Sequence, residues 1–154
     1  MKYERQDPQA PEIQIVYKTA VSGRERRKIE SPNDIYNIMF SIGEMNQNLE
    51  YKEMFYALYL NTANDVLAVH KISEGTTNNV QVDIKFIMQG AIMTNATNLI
   101  VCHNHPSGST RPSPADLQIT KDIQKAADLF NIKLLDSIII TTTNYCSFVE
   151  DGIL

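Results

Sequence analysis

The sequence predicts a single α/β layer domain, a mixed β-sheet flanked by helices. Three observations carry that expectation. Short apolar runs of strand length, such as residues 99–102, alternate with longer stretches whose apolar residues recur at helical spacing. Two strand-like runs, residues 53–61 and 65–72, are separated by a short polar turn, as in a hairpin. The last third reads strand, helix, strand, strand, and helices interleaved with mixed strand pairs argue for one layered core.

Taken in order, residues 12–18 start with alternating apolar and polar positions and read as a strand. Residues 21–30 are polar and loop-like. They hold the one basic cluster, Arg24-Glu25-Arg26-Arg27-Lys28, a solvated loop or a weak anion contact. Ser31-Pro32 opens a helix to about Gln47, with Ile35, Ile38, Met39 and Ile42 on one face. The hairpin follows, then a turn at residues 75–79 and a helix from Val82 or Asp83 to about Asn95. Residues 99–102 form a short buried strand. Residues 113–130 form the strongest helix, with Leu117, Ile119, Ile123, Ala126, Ala127 and Phe130 as its apolar positions. Residues 132–141 and 145–149 close the chain as two strands. The sheet is expected between the helix near Asp83 and the helix at Ser113. Residues 1–48 then form a strand–helix extension that caps a domain of residues 49–154, with a possible homodimer surface on the extension.

At 154 residues the chain is long enough for a sizeable core. Its 43% hydrophobic and 21% charged residues are ordinary for a globular protein, and a net charge of −4 gives no global attraction to nucleic acid or membrane. Cys102 and Cys146 make no disulfide framework. The N-terminus lacks the apolar segment of a signal peptide, and no apolar run approaches the length of a bilayer span. The expected location is cytoplasmic, with reduced thiols and no membrane contact. Asn95-Ala96-Thr97 matches a glycosylation sequon that has no meaning without secretion.

The chemistry concentrates in His103-Asn104-His105-Pro106-Ser107-Gly108 and Pro112-Ser113-Pro114-Ala115-Asp116. Residues i and i+2 on a strand point to one face, so His103 and His105 at a strand end can aim at one point. Cys102 and Asn104 then face the other way, which counts against Cys102 as a ligand and makes it a small buried hydrophobe. Pro106-Ser107-Gly108 supplies a tight turn. Ser113, Pro114 and Asp116 read as a helix capping box, N-cap serine with an acid three residues on. That reading is compatible with a second one, in which Asp116 ligates a metal and Ser113 hydrogen-bonds an oxyanion. Two imidazoles and a carboxylate suit zinc, and three protein ligands plus water is the catalytic arrangement.

The full string, His-x-His, seven residues, Ser, two residues, Asp, resembles the motif of JAMM (MPN-type) metallopeptidases. Its longer wording, His-Asn-His-Pro-Ser-Gly followed by Pro-Ser-x-Ala-Asp, is similar to the RadC branch of that superfamily. The likeness runs from about Glu53 to the C-terminus. It implies the JAMM/MPN fold, a cytidine-deaminase-like layer, and a Zn2+ held by His103, His105 and Asp116, with Ser113 as the motif serine. It also implies a general base on an earlier strand. Glu53 matches best, and Glu74 and Glu50 are rivals. The activity implied is hydrolysis of a peptide or isopeptide bond by a zinc-activated water, with a peptide or protein as substrate.

The alternative is a DNA-repair-associated RadC-family module without peptidase activity. The acidity of the chain and the lack of room for the family's helix-hairpin-helix region count against direct DNA binding. Two further positions depart from the family: Ser137 stands where a histidine often follows Leu-Asp, and Lys85 stands where the family has arginine. His70 is assigned no role.

Overall fold

A computed structural model describes residues 21–75 and 81–154. The strand expected at 12–18 and most of the turn expected at 75–79 lie outside the described residues. Within them the architecture is mixed α/β. A five-stranded sheet has the order β2-β1-β3-β4-β5, with β1 Met54–Leu60, β2 Val66–Glu74, β3 Asn98–Asn104, β4 Lys133–Ile140 and β5 Tyr145–Ser147. β1 pairs antiparallel with both β2 and β3, β3 pairs parallel with β4, and β5 returns antiparallel to β4. The parallel pair needs a crossover, and the helix α4, Pro114–Leu129, supplies it.

β1 is an interior strand and every residue in it is buried. Its alternate residues divide between two cores. Tyr56, Leu58 and Leu60 lie on one face with Ile100 and Cys102, under α1 (Pro32–Ser41) and α2 (Gly43–Asn48). Phe55, Ala57 and Tyr59 lie on the other with Leu99 and Val101, under α3 (Ile84–Met93) and α4. This corrects the expected layering: the sheet does not sit between α3 and α4, which share one face. A strand apolar on both sides requires two covers, and the second is the N-terminal helix pair. Ile35, Ile38 and Met39 are buried there, each contributing roughly 1.5–3 kcal/mol through burial.

The single helix expected over residues 32–47 is two. Ile42 takes an extended ψ of 107°, and α2 restarts at Gly43. The apolar spacing continues across the break, so periodicity alone does not reveal it. At its start α1 has a capping box of Ser31 with Asp34 and proline in the first turn.

α3 crosses close over β1. Gly90 lies where an added Cβ would come within 2.2 Å of the Tyr59 hydroxyl. Tyr59 donates to the Ile87 carbonyl at 3.0 Å and meets His70 Nδ1 at 3.3 Å. His70 is exposed on β2.

At the C-terminal end, Asp136 is buried and ties the last turn to β4. It accepts from the Ser137 and Val149 amides and from the Ser147 hydroxyl. Cys102 is buried in the core beneath α1 and α2. Among the described residues no helix is long and apolar enough to cross a membrane.

Candidate metal centre

β3 runs two residues further than the apolar run alone predicts, through His103 and Asn104. His105 follows it, and its amide still donates to the Ile140 carbonyl of β4 at 3.1 Å. The strand alternation therefore persists to the second histidine. The two Nε2 atoms lie 3.1 Å apart, with the rings edge to face.

α4 delivers the third group. Ser113 caps its N-terminus, accepting from the Asp116 amide at 3.2 Å, while the Ser113 amide donates to Asp116 Oδ2 at 2.7 Å. The capping box expected from sequence is present, and it aims the carboxylate at the histidines. Asp116 Oδ1 lies 3.1 Å from His103 Nε2, and Oδ2 lies 3.4 Å from His105 Nε2.

Register brings in the fourth. Phe55 pairs with His103 across β1 and β3. Glu53, two residues before Phe55, is therefore on the same face and level with His105. Glu53, His103, His105 and Asp116 each offer a ligand atom within 4.8 Å of the others. The two rival glutamates lie elsewhere. Glu74 pairs with Met54, whose side chain faces the opposite core. Its carboxylate is held by Lys52 and Lys71, both at 2.9 Å. Glu50 lies exposed in the turn before β1.

The donor set fits a divalent cation. His105 Nδ1 lies 2.8 Å from the Ser109 carbonyl, which can only accept. The ring proton therefore sits on Nδ1, and Nε2 presents its lone pair to the group. His103 lacks such an outer hydrogen bond, and its Nδ1 is buried without a partner among the described residues. Its ring is oriented by stacking on Phe55 instead, with centroids 5.6 Å apart and planes 10° from parallel. Two imidazole nitrogens and a carboxylate are turned toward one point, a donor set that suits a divalent cation.

The clustered groups also shift one another's proton affinities. Burial raises the Asp116 pKa, but the His103 and His105 imidazoles beside it outweigh that effect and hold the carboxyl well below its ordinary range. The Asp116 carboxylate facing its ring raises the His105 pKa against the opposing effect of burial. Burial raises the pKa of Glu53, with the two histidines opposing and Asp116 adding to it.

The sequence profile of the RadC-like JAB domain family matches residues 29–153. The chain belongs to that family. A UPF0758 protein of Flavobacterium johnsoniae is 39% identical over 153 residues, covering 94% of this chain and 65% of that protein. The UPF0758 protein of Desulforudis audaxviator is 43% identical over 102 residues, covering 66% of this chain and 44% of its own length. That of Methanosarcina mazei is 35% identical over 127 residues, covering 82% and 54%. The chain thus spans less than two thirds of the length of these RadC-family relatives.

Three contributors to the site were missed by the sequence reading. The Phe55 stack depends on strand register, and the Ser109 carbonyl depends on a loop turning back at Gly108, where φ is +78°. Asn104 was set aside as facing away. Its position between two histidines on one strand was the available signal.

Proposed function

We propose that the chain is a zinc-dependent metallohydrolase of the JAMM type that cleaves a peptide or isopeptide bond. The observation that carries this reading is the grouping of Glu53 with His103, His105 and Asp116 within 4.8 Å. His103, His105 and Asp116 would hold the metal and leave one position open, the pattern of catalytic rather than structural zinc. Bound there, Zn2+ lowers the pKa of a coordinated water to about 7 and polarises a carbonyl oxygen.

The protein's own groups supply the proton movements. Glu53 is half-buried on the histidine face, and its raised pKa brings it nearer to neutrality than an exposed glutamate. It takes the proton of the attacking water and returns it to the leaving amine nitrogen. The Ser113 oxygen accepts from the Asp116 amide, so its own proton is available to the developing oxyanion. The N-terminus of α4 adds a favourable dipole there.

The test is a peptide and isopeptide library incubated with zinc-loaded protein in heavy-oxygen water and read by mass spectrometry. Cleavage that labels the new carboxyl group, and that Glu53→Gln abolishes while retaining zinc, supports the reading. Loss of zinc from Glu53→Gln would make Glu53 a ligand or a structural residue. No cleavage by the wild type across peptide and isopeptide bonds would contradict the assignment.

A further inference from the structure

We propose that Asn104 is a positioning residue that fixes Glu53 over the histidine pair; this rests on the metallohydrolase reading and extends it. Asn104 lies between His103 and His105 on β3, and its side chain points to the opposite face of the sheet. It is fully buried. Its Oδ1 accepts from the Met54 amide at 2.7 Å. Its Nδ2 donates to the Lys52 carbonyl at 2.8 Å and to the Leu49 carbonyl at 2.9 Å. These contacts use both amide donors and bind the two peptide units that flank Glu53.

Residues 49–53 belong to no helix or strand; they join α2 to β1. Nothing in a regular ladder would hold the Leu49 and Lys52 carbonyls. From the other side, the Gly75 amide donates to the Glu53 carbonyl at 2.9 Å. The backbone at Glu53 is therefore clamped between β3 and the end of β2. Because Asn104 shares its backbone with both histidines, a displacement of the ligand strand carries the glutamate with it. Asn104 thereby ties the position of the base to that of the ligands.

Asparagine is the side chain this requires. One acceptor and two donors must face an amide and two carbonyls. Aspartate would oppose a carboxylate to two carbonyl oxygens. Serine is too short to reach all three and has one donor.

The experiment uses Co2+ in place of zinc, because its visible spectrum reports the surroundings of the bound ion without a known substrate. Wild type, Glu53→Gln, Asn104→Ala and the double variant are compared, with Ile38→Val on α1 as a control for core destabilisation that leaves the Asn104 hydrogen bonds in place. Asn104→Ala is expected to reproduce the spectral shift of Glu53→Gln, and the double variant to add nothing to it. Co2+ affinity should stay within about tenfold of wild type, since all three ligands remain. Ile38→Val should keep the wild-type spectrum.

A wild-type spectrum from Asn104→Ala beside a shifted Glu53→Gln overturns the proposal and leaves the metallohydrolase reading standing. Shifts that add in the double variant overturn it equally. Failure of the wild type to bind Co2+ removes the metal reading, and the proposal with it. If Asn104→Ala does not fold, Asn104→Ser and Asn104→Asp carry the same comparison. Loss of fold in all three makes Asn104 a general stability residue and overturns the proposal.

Discussion

Ser113→Ala separates the two roles placed on the start of α4. The substitution removes the Oγ that accepts from the Asp116 amide at 3.2 Å. It leaves the 2.7 Å bond from the Ser113 backbone amide to Asp116 Oδ2. Loss of an N-cap serine costs about 0.5–2 kcal/mol, and Ser113→Gly only a few tenths. The long bond places Ser113→Ala near the middle of that range or below, about 1 kcal/mol. In a chain of this size that lowers Tm by about 2–4 °C. The assay is thermal unfolding of the metal-free proteins, followed by circular dichroism in the presence of a chelator. Because the backbone bond still aims Asp116, zinc affinity, read by competition with a chromophoric chelator, should stay within about tenfold. Turnover of any substrate found should fall roughly 100- to 1,000-fold if the hydroxyl serves the oxyanion. A loss above about 3 kcal/mol would exceed what a cap supplies. Equal stability of Ser113→Ala and wild type would equally refute the cap, and a collapse of zinc affinity would show that the hydroxyl holds the ligand.

Further expectations concern the packing and charge of the rest of the molecule. Gly90→Ala places a methyl 2.2 Å from the Tyr59 hydroxyl and 2.4 Å from its Cζ, an overpacking that should cost about 1–3 kcal/mol. Urea denaturation checks it, and because the ring carbon also clashes, Tyr59→Phe should restore only part of the loss. Glu74→Gln weakens an exposed ion network with Lys52 and Lys71 and should leave zinc binding unchanged; lost binding would reopen its claim as the base. Burial raises the pKa of Asp136 above its unfolded value, despite hydrogen bonds from Ser147 and the Val149 and Ser137 amides. The native state therefore holds that proton more tightly than the unfolded chain. The resulting stability is present below about pH 3.9 and is lost as pH rises through the higher folded value. Unfolding free energy of Asp136→Asn relative to wild type should rise with pH from about 4 upward, and a flat difference would contradict the assignment.

The metal-site motif was legible because strand parity and helix capping are local rules. His103 and His105 share a face through the period of two, and Ser113 and Asp116 are placed by the capping box, so spacing alone brings three donors near each other. Glu53 needed the register of β1 against β3, which pairs residues about fifty positions apart. Spacing left three glutamates in contention, and only pairing puts Glu74 on the opposite face. Asn104 was hidden by the same parity argument that served the histidines: facing away from the metal reads as irrelevance until the partners on that side are known. The layering failed for a related reason. Residues 32–47 look like an accessory helix in sequence, yet Met54, Tyr56, Leu58 and Leu60 present an apolar face that α1 and α2 cover among the described residues. The break at Ile42 is invisible to apolar periodicity, because the helical spacing continues through it.

Zinc stoichiometry tests the central claim most directly. Protein purified without chelators, then titrated with Zn2+ by calorimetry and assayed for bound metal, should hold one ion per chain. His103→Ala should abolish that binding while retaining the fold by circular dichroism. Binding that survives His103→Ala, or no stoichiometric zinc in the wild type, would contradict the metal centre built from His103, His105 and Asp116.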